Sequence, residues 1–394
     1  MVIKNKHKYA DVGARLTGHH AAPPYQRGLH YTMLIKKVTW LELFYDLLFV
    51  AAVSKATHVL LHVEHGSISW EHMEKFIMIF IPIWWAWVGQ TVYNNRFGED
   101  SITHRIFMIL QLFFVLIMTA SLNIDFDAYY VSFFVGYIGL RGLTVVQYLL
   151  SAPKETAHKQ ETARFFGTYF WIGIVISSFS LFFDSWVRYL ILYTGIAIDI
   201  LVPLIGRKKL VITPIHTEHL LERFAQFTLI LLGESVISML SVLQSDHFTV
   251  SSVVFAALAF VLVIAIWWQY FENMEKRVDK SKQSAGQTII YGHLFIYLSL
   301  SMLAASIQLL FLGQVDYIFV LCFTFASVFI YFLSVLLVFH QYRLSHLKPR
   351  LRAIFFLTGI LCVLFILNIF IVVPPHLIVA EIMLFFLLFA KTTI

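Results

Sequence analysis

Residues 249–271 read Thr-Val-Ser-Ser-Val-Val-Phe-Ala-Ala-Leu-Ala-Phe-Val-Leu-Val-Ile-Ala-Ile-Trp-Trp-Gln-Tyr-Phe, twenty-three positions without a charged side chain. As a helix, a run of this length covers the roughly 30 Å hydrocarbon core of a bilayer. A strand that spans a membrane alternates polar and apolar residues, and this run does not. Similar blocks recur along all 394 residues, of which 59% are hydrophobic and 13% charged. Soluble domains carry about 25% charged and 45–50% apolar residues, so a water-soluble globule is excluded. The fold class that follows is an all-α integral membrane protein.

Apolar blocks and polar breaks predict spans near 39–61, 76–95, 104–122, 129–150, 164–183, 187–205, 220–243, 249–271, 290–312, 317–339, 353–373 and 375–391. That makes twelve; if Pro374 and Pro375 kink one helix instead of separating two, the count is eleven. Cytoplasmic loops of membrane proteins are enriched in Lys and Arg. With the N-terminus inside, 24 of the 29 basic residues fall on the cytoplasmic face, among them Arg207, Lys208, Lys209, Lys276, Arg277, Lys280 and Lys282. Only Lys75 and Arg188 fall outside, where the loops carry acids such as Glu64, Glu71, Glu74, Asp125, Asp127 and Asp246. The formal net charge of +6 is thus an orientation signal and not a nucleic-acid footprint. Residues 1–37 hold seven Lys and Arg and no apolar run of signal-peptide length, so the first span is expected to serve as the insertion signal.

An internal repeat is readable. Glu42-Leu-Phe-Tyr-Asp46 in the first span and Glu222-Arg-Phe-Ala-Gln226 in the seventh share Glu, an aromatic residue two positions later and a polar residue at the fifth position, 180 residues apart. Trp84-Trp85-Ala-Trp87 matches Trp267-Trp268-Gln-Tyr270 at an offset of 183. The expected organisation is a polar basic segment (1–37) followed by two parallel six-helix repeats (38–206 and 207–394). Six spans per half put both halves in from the same side, with a path between them.

Ionisable groups in lipid cost at least about 2.5–3.5 kcal/mol at mid-depth, so each needs a partner, water or a function. Glu42 and Asp46 are four apart on one helix face and together resemble a cation or proton site. Glu222 and Arg223 stand at the cytoplasmic end of the seventh span, with Gln226 one turn in. Glu234, within Leu-Leu-Gly-Glu-Ser, is the costliest acid in the chain; its small neighbours Gly233 and Ser235 allow a close helix approach, and Arg141 is a candidate partner. Arg141 and Asp199 lie at matching depths and suit a buried charge pair. Lys55 and His58 are placed where a side chain reaches the headgroups. Trp84, Trp85, Trp267 and Trp268 are candidates for an aromatic lining, with plain packing as the alternative.

Neither His-Glu-x-x-His, a Walker loop, Gly-x-Ser-x-Gly nor a dinucleotide fingerprint is present, so no enzyme activity and no cofactor are expected. Cys322 and Cys362 lie inside apolar blocks as small core residues, with no disulfide or metal site expected. His19-His20 reads as a solvated stretch.

The stretch Val38-Thr-Trp-Leu-Glu-Leu-Phe-Tyr-Asp-Leu-Leu-Phe-Val-Ala-Ala-Val-Ser54, with Glu222-Arg-Phe224 and Leu232-Gly-Glu-Ser235, resembles the bacterial low-temperature-requirement protein A (LtrA) family. The resemblance covers nearly the whole chain and implies a multispan membrane protein, without naming a substrate. Leu41-Glu-Leu-Phe-Tyr-Asp46 is also distantly similar to the Phe-Ser-Asp element that opens two-repeat, six-span potassium channels. Here Tyr45 replaces the Ser, and Gln226 stands where the second copy has Asp.

The reading with most support is a proton- or ion-coupled secondary transporter or ion-conducting protein of the cell membrane, N-terminus cytoplasmic, with Glu42, Asp46 and Glu234 lining the path. A passive, potassium-like cation channel and a membrane-embedded lipid-handling protein or enzyme are the alternatives. Expected partners are membrane lipids and a small ion or solute; nucleic acid is not expected, and a homodimer is compatible with the pattern.

Overall fold

A computed structural model describes residues 36–123, 126–245, 249–344, 346 and 351–393. The basic segment with His19 and His20, and the acids Asp125 and Asp246, lie outside the described residues. The first helix begins at a capping box. Thr39 Oγ1 accepts the Glu42 amide at 3.3 Å, and Glu42 Oε2 accepts the Thr39 amide at 2.9 Å, satisfying two donors that a helix start would otherwise strand.

The described residues form twelve long helices: α1 (Trp40–Val59), α2 (Trp70–Phe97), α3 (Ile102–Ala120), α4 (Tyr130–Ser151), α5 (Ala157–Phe179), α6 (Ser185–Ile205), and, after the short α7 (Arg207–Ile212), α8 (Thr217–Ser245), α9 (Val250–Glu272), α10 (Gln287–Leu312), α11 (Tyr317–Tyr342), α12 (Leu351–Phe370) and α13 (Pro375–Thr393). Eleven are long and apolar enough to cross a membrane. The exception, α1, carries Glu42, Asp46 and Lys55 within twenty residues. Pro374 and Pro375 fall at the break between α12 and α13, which are separate helices. Large apolar side chains such as Phe113, Phe182, Phe355 and Val372 face outward, as lipid-contacting surfaces do.

Between α1 and α2 a small hairpin pairs β1 (Val63–Glu64) with β2 (Ser67–Ile68). Its two turn residues, His65 and Gly66, both have positive φ (50° and 78°), the geometry a two-residue hairpin requires. The Gly66 carbonyl accepts the Asp316 amide at 2.6 Å, tying the hairpin to the α10–α11 connection. Because successive helices alternate in direction, the connections fall at two ends: a hairpin end, and a basic end whose loops and short α7 carry Arg207–Lys209 and Lys276–Lys282. Neither the hairpin, α7 nor the π-helical turn at Asn273–Arg277 was expected from hydropathy, because none is an apolar block. In the packed interior α1 meets α2, α3, α8 and α10, while α5 packs on α4 and α6, and α13 on α9.

At the α5–α6 contact backbone nearly touches backbone. A Cβ on Gly173 would sit 2.7 Å from the Gly195 carbonyl oxygen and 3.0 Å from Asp199 Cβ, whereas one on Gly142 meets nothing within 4 Å. We expect Gly173→Ala to lower the melting temperature in detergent through overpacking of about 1–3 kcal/mol. Gly142→Ala should raise it slightly by removing glycine's helix penalty.

Candidate functional site

Two buried contacts between ionisable side chains set α1 against α8. His219 Nε2 lies 3.5 Å from Glu42 Oε1, and Arg223 Nη2 lies 2.8 Å from Asp46 Oδ1. Farther along, Phe49 meets Phe227 with ring centroids 6.4 Å apart, and Glu234 faces Ser54 and His58. Residue numbers rise together on both sides of the contact, so the two helices run parallel along a shared seam.

Asp46 and Arg223 are its centre. Asp46 Oδ1 accepts a second hydrogen bond, from Trp87 Nε1 at 2.6 Å, and the Arg223 guanidinium lies 5.9 Å from the Trp87 ring centroid. Phe224, Phe227 and Tyr297 close around that ring. Arg223 is 0% and Asp46 4% exposed, so the pair sits where opposite charges attract strongly and where leaving water costs most. Asp46 Oδ2 and Arg223 Nε and Nη1 have no hydrogen-bond partner among the described residues. A buried pair is stable in proportion to how fully its lone pairs and protons are satisfied, so this one is held less tightly than its short contact suggests.

Glu42 has two duties. Its Oε2 completes the capping box of α1, and its Oε1 accepts Asn94 Nδ2 at 3.2 Å. From Asn94 a band of buried amides continues outward: Gln90 donates to Asn94 Oδ1 at 2.7 Å, and Gln111 donates to Gln90 Oε1 at 2.7 Å and to Thr144 and Gln147 beyond. Asn95 clamps the backbone of His216, accepting its amide and donating to its carbonyl, both at 2.9 Å, which fixes where α8 begins. The Lys36 ammonium caps the last carbonyls of α2, those of Asn94, Asn95 and Gly98. Burial pushes its amine down to about 8, against the pull of the nearby Glu42 carboxylate. Arg96 pins two connections at this end, donating to the Thr213 carbonyl at 3.1 Å and the Ala285 carbonyl at 3.0 Å.

A second buried charge pair lies away from the seam. Arg141 Nη2 is 2.6 Å from Asp199 Oδ2, which also accepts Arg141 Nε at 2.7 Å and Trp85 Nε1 at 3.1 Å. The guanidinium lies between the rings of Trp85 and Phe170, 5.6 and 4.8 Å from their centroids. Gly89 leaves the space that its Nη1 occupies.

The structure therefore puts Glu42, Asp46 and Glu234 on one seam. It does not join Arg141 to Glu234, because Arg141 is committed to Asp199 on α6. Gln226 is half-buried with Oε1 unpartnered among the described residues, and Glu222, also half-buried, is turned about 100° around α8 from Arg223. Trp84 and Trp85 are buried, but Trp267 and Trp268 are 43% and 50% exposed on the outer surface of α9, so the four do not form one lining. Lys55 points outward, as do Cys322 and Cys362, which are not interior residues. Among the described residues no three His, Cys, Asp or Glu side chains are grouped to hold a metal. Sequence reasoning missed His219, Asn94, Asn95, Gln90, Gln111 and Lys36. The available signal was Gln90, Asn94, Asn95 and Arg96 crowding the last turns of α2, since polar groups buried in an apolar helix need partners.

Residues 37–390 match the family described as bacterial low temperature requirement A protein (LtrA). The chain belongs to the LtrA family. It is 25% identical over 269 residues to the uncharacterized protein RA0937 of Rhizobium meliloti (strain 1021), a match covering 66% of this chain and 65% of that protein. The matched part thus spans just under two thirds of the relative's length, and no solved structure matches the chain. With its many apolar helices, this LtrA-family chain is a multi-pass membrane protein.

Removing one member of a buried pair leaves an uncompensated charge, at a cost of roughly 3–5 kcal/mol, whereas replacing both with apolar residues is close to neutral. Asp199→Leu should therefore depress the detergent melting temperature of this LtrA-family protein markedly, and Arg141→Met/Asp199→Leu should recover most of the loss.

Proposed function

We propose that the protein is a transporter of the cell membrane, N-terminus cytoplasmic, that moves a small cation or a proton-coupled solute along the α1–α8 seam. The observation that carries this reading is three buried carboxylates, Glu42, Asp46 and Glu234, on one interface between parallel helices. Acids at such depth are costly and are held where a cation or proton is bound in transit.

Division into repeats of 38–206 and 207–394 is supported by the seam itself. The pairs Glu42 with His219 and Asp46 with Arg223 share one sequence separation, 177 residues, close to the 180-residue repeat offset. Packing supports it too, since α1 meets α2 and α3 as α8 meets α9 and α10, and α3 pairs with α4 as α10 pairs with α11. The correspondence weakens at the far ends, where α5 packs broadly on α4 while α12 stands off from the bundle. The bases of the Arg207–Lys209 and Lys276–Lys282 segments support a cytoplasmic basic end.

In this reading Arg223 is an internal counter-ion. A cation arriving at Asp46 competes with the guanidinium for Oδ1, and the pair must part for passage, which favours a gated transporter over an always-open pore. The incomplete hydrogen bonding of both groups lowers the cost of that parting.

The test is flux in proteoliposomes under potassium, sodium and proton gradients, followed with a pH dye and ion electrodes. Wild-type protein should carry flux that Asp46→Asn and Glu234→Gln each reduce by tenfold or more, on the order of 1.4 kcal/mol or above, with unchanged detergent elution. Flux that both variants retain removes these carboxylates from the path. No flux under any gradient removes the transport reading.

A further inference from the structure

Histidines gather at the hairpin end beyond what a turn requires. His62 and His72 stack with ring centroids 5.4 Å apart and planes 23° from parallel, and His72 Nδ1 shares a 2.7 Å hydrogen bond with Ser69 Oγ. His58 precedes His62 by four residues. Past the end of α1 the chain turns more tightly, with the amides of Leu61 and His62 bound three residues back to the carbonyls of His58 and Val59, and His62 stays close enough to His58 for the charge of one ring to bear on the other. His58 Nδ1 is 2.8 Å from the Ser54 carbonyl oxygen, which can only accept, so in the neutral ring Nδ1 carries the proton and Nε2 is left to take one. On the far side of Ser54 and His58 stands Glu234 of α8, 2% exposed, with Oε1 unpartnered among the described residues.

We propose that the stacked pair His62–His72, followed by His58, forms a relay that carries protons from the hairpin end to the Glu234 carboxylate. This deepens the transport reading, on which it rests, by naming the proton as the coupling ion and the histidine end as its port. The step balances simply: Nε2 of His58 takes a proton from the His62–His72 pair, becomes an imidazolium, and gives the proton to a Glu234 oxygen, returning to neutral imidazole as the carboxyl forms. The charged and titratable groups around the relay are few. Glu234 faces His58; His62 faces His72, Glu64 and His58; Glu71, paired with Lys75, acts on His72; and Lys55 lies one turn before His58, pointing outward. His62 is held below the usual imidazole range by burial and by the facing His72, with Glu64 opposing, so it releases a bound proton readily.

The test is infrared difference spectroscopy of the full-length protein in lipid after a rapid downward pH jump, with no substrate needed. The carboxyl band absent from Glu234→Gln identifies Glu234. In wild-type protein that band should rise; in His58→Ala its rise should slow on the order of a hundredfold, and imidazole in the buffer should restore it, which shows the variant to be folded. His62→Gln should slow it as well, and His65→Gln, at the exposed hairpin turn, should not. An unchanged rate in His58→Ala, or a Glu234 carboxyl that does not titrate, overturns the relay. A slowed, imidazole-rescued Glu234 in a protein without flux keeps the relay and removes the transport reading; flux with an unaltered Glu234 rate does the reverse.

Discussion

The contact between Arg223 and Asp46 constrains everything around it. Two opposite charges at full burial attract strongly, yet each has given up a hydration shell worth several kcal/mol, so the pair persists only while its surroundings hold it in register. Trp87 supplies that hold twice, through a hydrogen bond to Asp46 and an aromatic face toward Arg223. The rings of Phe224, Phe227 and Tyr297 in turn fix the indole. Helices α1, α2, α8 and α10 are thus tied to one another through a single ion pair and its aromatic collar.

The same constraint explains why polar side chains concentrate on α2. Once α1 and α8 are set in register, Glu42 sits opposite His219 and needs further partners, and Asn94 with its train of Gln90 and Gln111 provides them. Asn95, Arg96 and Lys36 then secure the start of α8 and the loops of the basic end. The bundle is densely hydrogen-bonded at that end, whereas Glu234 Oε1 has no partner among the described residues, a difference that suits the proposed transport, in which one part of a seam opens while another stays shut.

Most of the architecture was legible from hydropathy because lipid forces every spanning segment to be a continuous helix. Element limits were less so. α5 starts at Ala157 and not near 164, since its first turns, Ala-His-Lys-Gln-Glu-Thr, are polar but still compatible with a helix. Within the seam, Glu42, Asp46 and Glu234 announced themselves as charges in apolar runs. Glu42 also belonged to a readable signature, Thr39-x-x-Glu42, whose capping role was overlooked. What one-dimensional pattern could not supply was pairing between distant helices. Whether Arg141 turned to Glu234 or Asp199, and whether the tryptophans of α9 faced inward, depended on helix rotation, which near-uniform hydrophobicity does not encode; α9 is apolar on all sides.

The central claim is that the α1–α8 seam must open for the protein to work, and cross-linking it tests this most directly. With Cys322 and Cys362 replaced by Ala, a cysteine pair at Phe49 and Phe227, whose rings meet across the seam, would be oxidised in proteoliposomes and flux compared before and after reduction. The account predicts that oxidation stops flux and reduction restores it. Equal flux through fully cross-linked and reduced protein would contradict it.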